Sequence, residues 1–429
     1  MNRNDQAYQD CVAVLKEELL PAMGCTEPIA IAYCAAIARR YLGELPDHVL
    51  VEASGNIIKN VKSVVVPNTG GLRGIPAATM AGVVAGDPDK QLQVISQVTE
   101  EQKNEIRRML EQVKTEVRLA DTNLVFDIIV TLRKGDSYAK TRIANYHTNV
   151  VTIEKNGEKL KDEPVEDESE KGLTDRSFLS VKTIYDFANS VEIDDVREVL
   201  DRQIQYNTAI AEEGLRGDYG ANVGSILLHS GPDTVKNRAK AYAAAGSDAR
   251  MNGCELPVVI NAGSGNQGIT VTMPLVVYAK ELGASQEQLY RALTLANLIG
   301  IHQKTGIGRL SAFCGAISAG AAAGCGVAYL KGGDLKAISH TLVNALAVVS
   351  GVICDGAKAS CAGKIAVGVD AGIMGYEMYC YNQQFRSGDG IVKKGVENTI
   401  ANVGRLGREG MRETDQEILK IMIEDWTNP

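Results

Sequence analysis

The sequence predicts an α+β fold, with a mostly antiparallel sheet domain and flanking helices beside a larger all-helical domain. Three observations carry that expectation. Between about Val49 and Ile153, the stretches "HVLVEASGNIIKNVKSVVVP" and "NLVFDIIVTLRKGDSYAKTRIANYHTNVVTIEKNG" are rich in β-branched residues with rough apolar alternation. From Leu173 onward nearly every segment has a helical pattern, and Gly263 to Gly372 is dense in Ala, Gly and Val, as closely packed buried helices require. Between these regions, "GEKLKDEPVEDESEKG" is charged, poor in apolar residues and interrupted by a proline, so it reads as an exposed linker.

Taken in order, Ala7 to Leu42 is helical but broken at "PAMGCTEPIA", where Gly24 ends one helix and Thr26 with Pro28 starts the next. Cys25 then lies in the hinge. A helical "TEEQKNEIRRMLEQV" separates the two strand-rich stretches. If the first two helices pack back on the later ones, residues 1–45 and 171–429 form a discontinuous helical domain, and residues 46–170 are an α+β insertion.

Composition excludes several classes. The 429 residues are 45% hydrophobic, enough for two or three domains. Net charge is -8 with no concentration of Lys and Arg, so no nucleic-acid partner is expected. The N-terminus mixes charges into its apolar positions and no run of eighteen clean apolar residues follows, which points to a cytoplasmic protein without a membrane partner. Nine cysteines suit reduced thiols, metal ligands or catalysis better than a disulfide framework. Five Phe and one Trp against 43 Gly imply tight helix packing, with room for a homodimer.

Cys314 lies in "GRLSAFCGAISAG", and Cys354 and Cys361 lie in "VICDGAKASCAGK". One continuous helix would hold the latter pair roughly 10 Å apart along its axis. Gly356 and Gly363 suggest instead a helix ending near Cys354 and a compact turn that returns Cys361. Three thiolates converging from helix ends suit an iron-sulfur site, and three buried core cysteines are the alternative. Asp355, Lys358 and Lys364 favour a site, because charges are rarely placed beside buried positions without a partner. No CxxC pair exists and no histidines stand at metal spacing, so zinc-ribbon, ferredoxin and zinc-hydrolase patterns are absent.

Together "GCTEP", "SGNIIKN", "GSGNQGI", "GRLSAFCG" and "CDGAKASCAGK" resemble the L-cysteine desulfidase family, which is related to the alpha chain of iron-sulfur L-serine dehydratases. The motifs run from Gly24 to Lys364. The resemblance implies a 4Fe-4S cluster held by Cys314, Cys354 and Cys361 with one iron left open. It implies β-elimination of L-cysteine to pyruvate, ammonia and hydrogen sulfide, and a role for Cys25 at the substrate. The wider dehydratase group commonly carries a cysteine near its C-terminus, whereas this sequence ends "IMIEDWTNP", which favours the desulfidase branch.

At a helix N-terminus Cys25 is expected to have a lowered pKa and to act as α-proton base or as a temporary fourth iron ligand, with tight packing beside Gly24 as the alternative. In "VINAGSGNQGITVTMP", freed backbone N–H groups with Asn266 and Gln267 suit an α-carboxylate, or the loop is a plain turn. Asn68, Thr69 and Gly70 in "VPNTGGLRG" offer the same or a hairpin-like connection. Lys304, Arg309 and Ser311 precede Cys314 closely enough to neutralise a cluster or hold a carboxylate, or they cap a solvated helix end. Lys59 and Lys358 complete the substrate-binding set for an amino acid, with residues 46–170 closing over the cluster face. Close behind elimination from L-cysteine stands the same iron-sulfur machinery acting on L-serine or another β-substituted amino acid, and two readings of other classes compete: a pyridoxal phosphate lyase using Lys59, Lys304 or Lys358 as Schiff base, and a non-catalytic iron-sulfur sensor or binding protein.

Overall fold

The computed structural model describes residues 1–165 and 173–427. The chain opens with α1 (Gln6–Glu18), β1 (Pro21–Met23) and α2 (Thr26–Leu42). Next come β2 (His48–Ala53), α3 (Gly55–Val61), α4 (Gly74–Ala85) and α5 (Glu100–Gln112). The strands β3 (Lys114–Leu119), β4 (Asp127–Lys134), β5 (Ser137–Ala144), β6 (Val150–Lys155) and β7 (Glu158–Asp162) follow. The remainder comprises α6 (Val181–Ser190), α7 (Ile193–Arg216), α8 (Val223–Ser230), α9 (Val235–Met251), β8 (Pro257–Val259), α10 (Gly265–Leu282), α11 (Gln286–Ile307), α12 (Gly315–Leu330), α13 (Leu335–Val349), α14 (Cys361–Cys380), α15 (Val396–Arg405) and α16 (Arg412–Thr427). Among the described residues no helix is long and apolar enough to cross a membrane.

Strands β2 to β7 form one six-stranded sheet of order β3-β2-β4-β5-β6-β7. It is mixed rather than purely antiparallel: β2 runs parallel to β3, while the other four pairings are antiparallel. The parallel pair follows from its connection, since α3, α4 and α5 supply the long crossover that parallel neighbours need. Within that crossover "SGNIIKN" is helical, because Ser54 supplies the extended entry residue and Ile57, Ile58 and Val61 share a buried helical face. The capping box at Thr99 and Gln102 starts α5 where the sequence places a helix. Part of the expected linker is ordered as β7, which pairs with β6; residues 166–172 of that linker lie outside the described residues.

The helical region is not all-helical. β8 pairs antiparallel with β1, setting Pro21 opposite Val259 and Met23 opposite Pro257. Gly24 therefore follows a strand rather than ending a helix, and its φ of +56° turns the chain into α2. This ribbon brings the start of α2 beside the glycine-rich loop that enters α10. Elsewhere the small residues do what their abundance implies. A Cβ on Gly320 would lie 2.2 Å from the Gly368 carbonyl carbon, and one on Gly324 2.2 Å from the Gly372 oxygen, so α12 and α14 cross with backbones in contact.

Candidate active site

Cys314 is the N-cap of α12 and Cys361 the first residue of α14. Cys354 lies in the connection from α13 to α14, held next to Cys314 by a short antiparallel bridge. In it the Cys314 N–H donates to Val352 O at 3.1 Å and the Cys354 N–H to Ala312 O at 2.6 Å. Gly356, at φ +95°, then reverses the chain, and a Cβ there would sit 2.5 Å from Lys59 O. The turn expected between Cys354 and Cys361 is thus present, although Gly363 belongs to α14 rather than to the turn.

The three thiols line one pocket of about 90 Å³ together with Cys25, Asn266, Gln267, Lys304, Arg309 and Ser311. Four helices, α2, α10, α12 and α14, begin at this pocket, and none of their N-cap side chains accepts a capping hydrogen bond. Uncapped N-termini present partial positive charge and favour an anion. The Asn266 Oδ1 and Gln267 Oε1 atoms are buried without hydrogen-bond partners. Gly315 leaves room for the Gln267 amide, since a Cβ there would be 2.8 Å from its Cδ.

Burial dominates the thiols. It pushes Cys25 up to about 12, with Arg250 opposing and Glu27 adding to the rise, so the lowered pKa expected at this helix N-terminus is overturned. Cys314 is likewise pushed to about 12, and Cys361 is raised. Burial lowers the Lys304 ammonium to about 8 against the pull of Cys354 and Cys314.

Several expected residues serve the walls instead. Lys59 is buried in an ion pair with Asp415 of α16 and donates to Cys354 O at 3.4 Å, so it braces the cysteine loop from behind. Lys358 pairs with Asp355, as does Lys364. Burial works to raise the Asp355 carboxyl, but the two lysines hold it down at about 2. The amide of Asn68 donates to Ile95 O at 2.8 Å and the Thr69 hydroxyl to Val66 O at 2.7 Å, while Gly70 lies against Arg107. Their loop does not line the pocket; its Pro67 packs where a Cβ on Gly24 would be, 2.2 Å from Pro67 Cγ. Arg309 reaches the pocket with its Nη2 bound to Glu18 Oε1 at 2.5 Å, and Ser311 donates to Gly407 O at 2.7 Å. Of the three lysines considered for Schiff-base chemistry, Lys304 lines the pocket, whereas Lys59 and Lys358 do not and are ion-paired.

Sequence reasoning missed Glu27, Asn60, Arg250 and Ser264, which also line the pocket. Glu27 and Asn60 stand inside quoted motifs, whereas Arg250 ends a helix with no local pattern to mark it. Arg250 is buried, its Nε donating to Gly24 O at 2.9 Å, and no ion pair with a carboxylate is seen for it among the described residues.

The chain matches the serine dehydratase alpha chain family over residues 89–420. It belongs to that family. A UPF0597 protein of Desulfitobacterium hafniense (strain Y51) is 60% identical over 423 residues, covering 99% of this chain and 98% of the relative. UPF0597 proteins of Lachnoclostridium phytofermentans and Treponema denticola are 52% and 46% identical, covering 97% and 99% of this chain and 100% of each relative. The family match takes in Cys314, Cys354, Cys361, Lys304 and Arg250. Cys25, Glu27 and Asn60 come before it, within the stretch shared with the UPF0597 relatives.

Among the described residues no three His, Cys, Asp or Glu close around a single-ion position. Three sulfur donors nonetheless share one pocket whose four helix N-termini suit negative charge. Soft sulfur donors of this kind are the ligand chemistry of an iron-sulfur group, and these three residues fit one.

Proposed function

We propose that the protein is an iron-sulfur-dependent lyase that eliminates hydrogen sulfide from L-cysteine, leaving pyruvate and ammonia. The observation that supports it most is the gathering of Cys314, Cys354 and Cys361 from separate elements at one pocket ringed by uncapped helix N-termini. Those three thiolates would hold a 4Fe-4S cluster. When bound, a cluster with an iron free of protein sulfur supplies a Lewis acid to the substrate.

The chain's own groups then bind and orient. Arg250 and the first N–H groups of α10 receive the α-carboxylate, and the Asn266 and Gln267 amides add polar contacts on the same wall. Lys304 offsets thiolate charge from inside the pocket. Burial of the remaining wall limits water, so fixed charges act in a low dielectric.

A second reading, dehydration of L-serine, is supported by the family that the chain matches. The two differ in the leaving group. Anaerobically reconstituted protein assayed for sulfide from L-cysteine and for pyruvate from L-serine separates them: the proposal expects kcat/KM to favour L-cysteine, and a preference for L-serine would overturn that choice.

A further inference from the structure

Elimination needs a group that takes the proton from Cα. Among the pocket's described residues Glu27 is the one carboxylate. We propose that Glu27, rather than Cys25, is this base, an assignment that rests on the elimination reading above.

Geometry supports it in three ways. The carboxylate is held at one oxygen, where Asn60 Nδ2 donates to Oε1 at 3.1 Å, while Oε2 lies 3.1 Å from the Thr26 hydroxyl, whose single hydrogen is shared with Gly263 O at 3.0 Å. It lies in the first turn of α2, whose N-terminus favours a negative charge there. Arg250 is bonded to Gly24 O, on the same turn of chain, so a substrate anchored by its carboxylate presents Cα to this wall. Because the Asn60 amide nitrogen faces Glu27, its oxygen is left over. That Oδ1 is buried without a partner and accepts the substrate's ammonium group. Cys25 is occupied differently, its sulfur 3.7 Å from Met251 Sδ within the apolar wall.

In the step, a Glu27 oxygen takes the Cα proton. The Cα–H electron pair becomes the Cα=Cβ bond as the Cβ–S bond breaks, and the sulfur leaves with that bond's pair as HS⁻. The 2-aminoacrylate left behind tautomerises to the imine, which water hydrolyses to pyruvate and ammonium. Glu27 passes its proton to solvent before the next turnover.

The test compares anaerobically reconstituted wild type with Glu27→Gln, reading iron content, KM and kcat for sulfide release. A positioned base contributes roughly 10²- to 10⁴-fold. The expected result is wild-type iron, KM within about threefold, and kcat lowered on the order of a thousandfold. Glu27→Gln with kcat within about fivefold of wild type would overturn the base while leaving the elimination reading intact. If Glu27→Gln does not hold iron, Glu27→Asp carries the test, because it keeps the charge and withdraws it by one methylene: a lower kcat at constant KM supports the role, and an unchanged kcat overturns it. Wild type that releases neither sulfide nor pyruvate overturns the elimination reading itself.

Discussion

Arg250 is a buried guanidinium that meets a backbone carbonyl but no described carboxylate, and that combination is costly unless a ligand supplies the missing charge. Replacing it by Gln removes a charge-assisted bond of about 1.5–3 kcal/mol. Arg250→Gln is therefore expected to raise KM about tenfold or more with iron content unchanged; steady-state kinetics on reconstituted protein check this. Arg309 differs, since Glu18 already pairs with it and with Arg176. The three cysteines were legible because two lie among charges and glycines that need a reason. Arg250 was not, because the approach of α9 to α10 that makes Gly265 necessary is a tertiary event: a Cβ on Gly265 would lie 2.4 Å from Arg250 Nε.

At the scale of elements, the site depends on how closely helices cross. α12 carries Cys314 at its cap and α14 starts with Cys361, and both register at Gly320, Gly324, Gly368 and Gly372. Gly324→Ala pushes a methyl into the Gly372 backbone and is expected to cost about 1–3 kcal/mol, with lower iron retention after reconstitution. Denaturant unfolding and iron assay read both. The sheet contributes a pH response through His147 in the β5–β6 connection, which stacks edge-on against Phe126. Burial lowers its pKa to about 4, with Glu27 and Glu18 opposing and Arg309 and Arg250 assisting. The unfolded chain takes up this proton near 6.5 and the folded one only near 4, so the stabilisation is complete above 6.5 and lost as pH falls through that window. About 3 kcal/mol is at stake, and His147→Gln should flatten the fall in urea-derived stability between pH 6.5 and 4 by that order. Helical periodicity and turn residues made α2, α5 and the strands β4 to β6 readable. "SGNIIKN" misled because isoleucines serve a strand and a short buried helix equally, and β1 and β8 are three residues each, too short for any alternation to register.

Across the whole molecule, distant segments converge on one place. The pocket takes Cys25 and Glu27 from near the N-terminus, Asn60 from the crossover of the sheet and the remaining residues from the later helices and the loops between them. Behind it, Asp415 of α16 pairs with buried Lys59 and accepts from Asn56 at 2.7 Å, tying the last helix to α3 and, through Cys354 O, to the cysteine loop. Asp415→Asn strands the Lys59 charge and is expected to cost about 3–5 kcal/mol in chemical denaturation. The strand-rich character between about Val49 and Ile153 and the helical character after Leu173 were readable from the change in pattern. The closing of α16 over α3 was not, because a lone Lys and a lone Asp 356 residues apart carry no local signal. The central claim is that Cys314, Cys354 and Cys361 hold the iron on which turnover depends. Its most direct measurement is iron and sulfide release from L-cysteine, quantified together after anaerobic reconstitution of wild type and of Cys314→Ser, Cys354→Ser and Cys361→Ser. The account predicts about four irons with turnover in wild type and the loss of both in each variant. Wild-type protein that takes up no iron, or variants that keep full iron and activity, would contradict it.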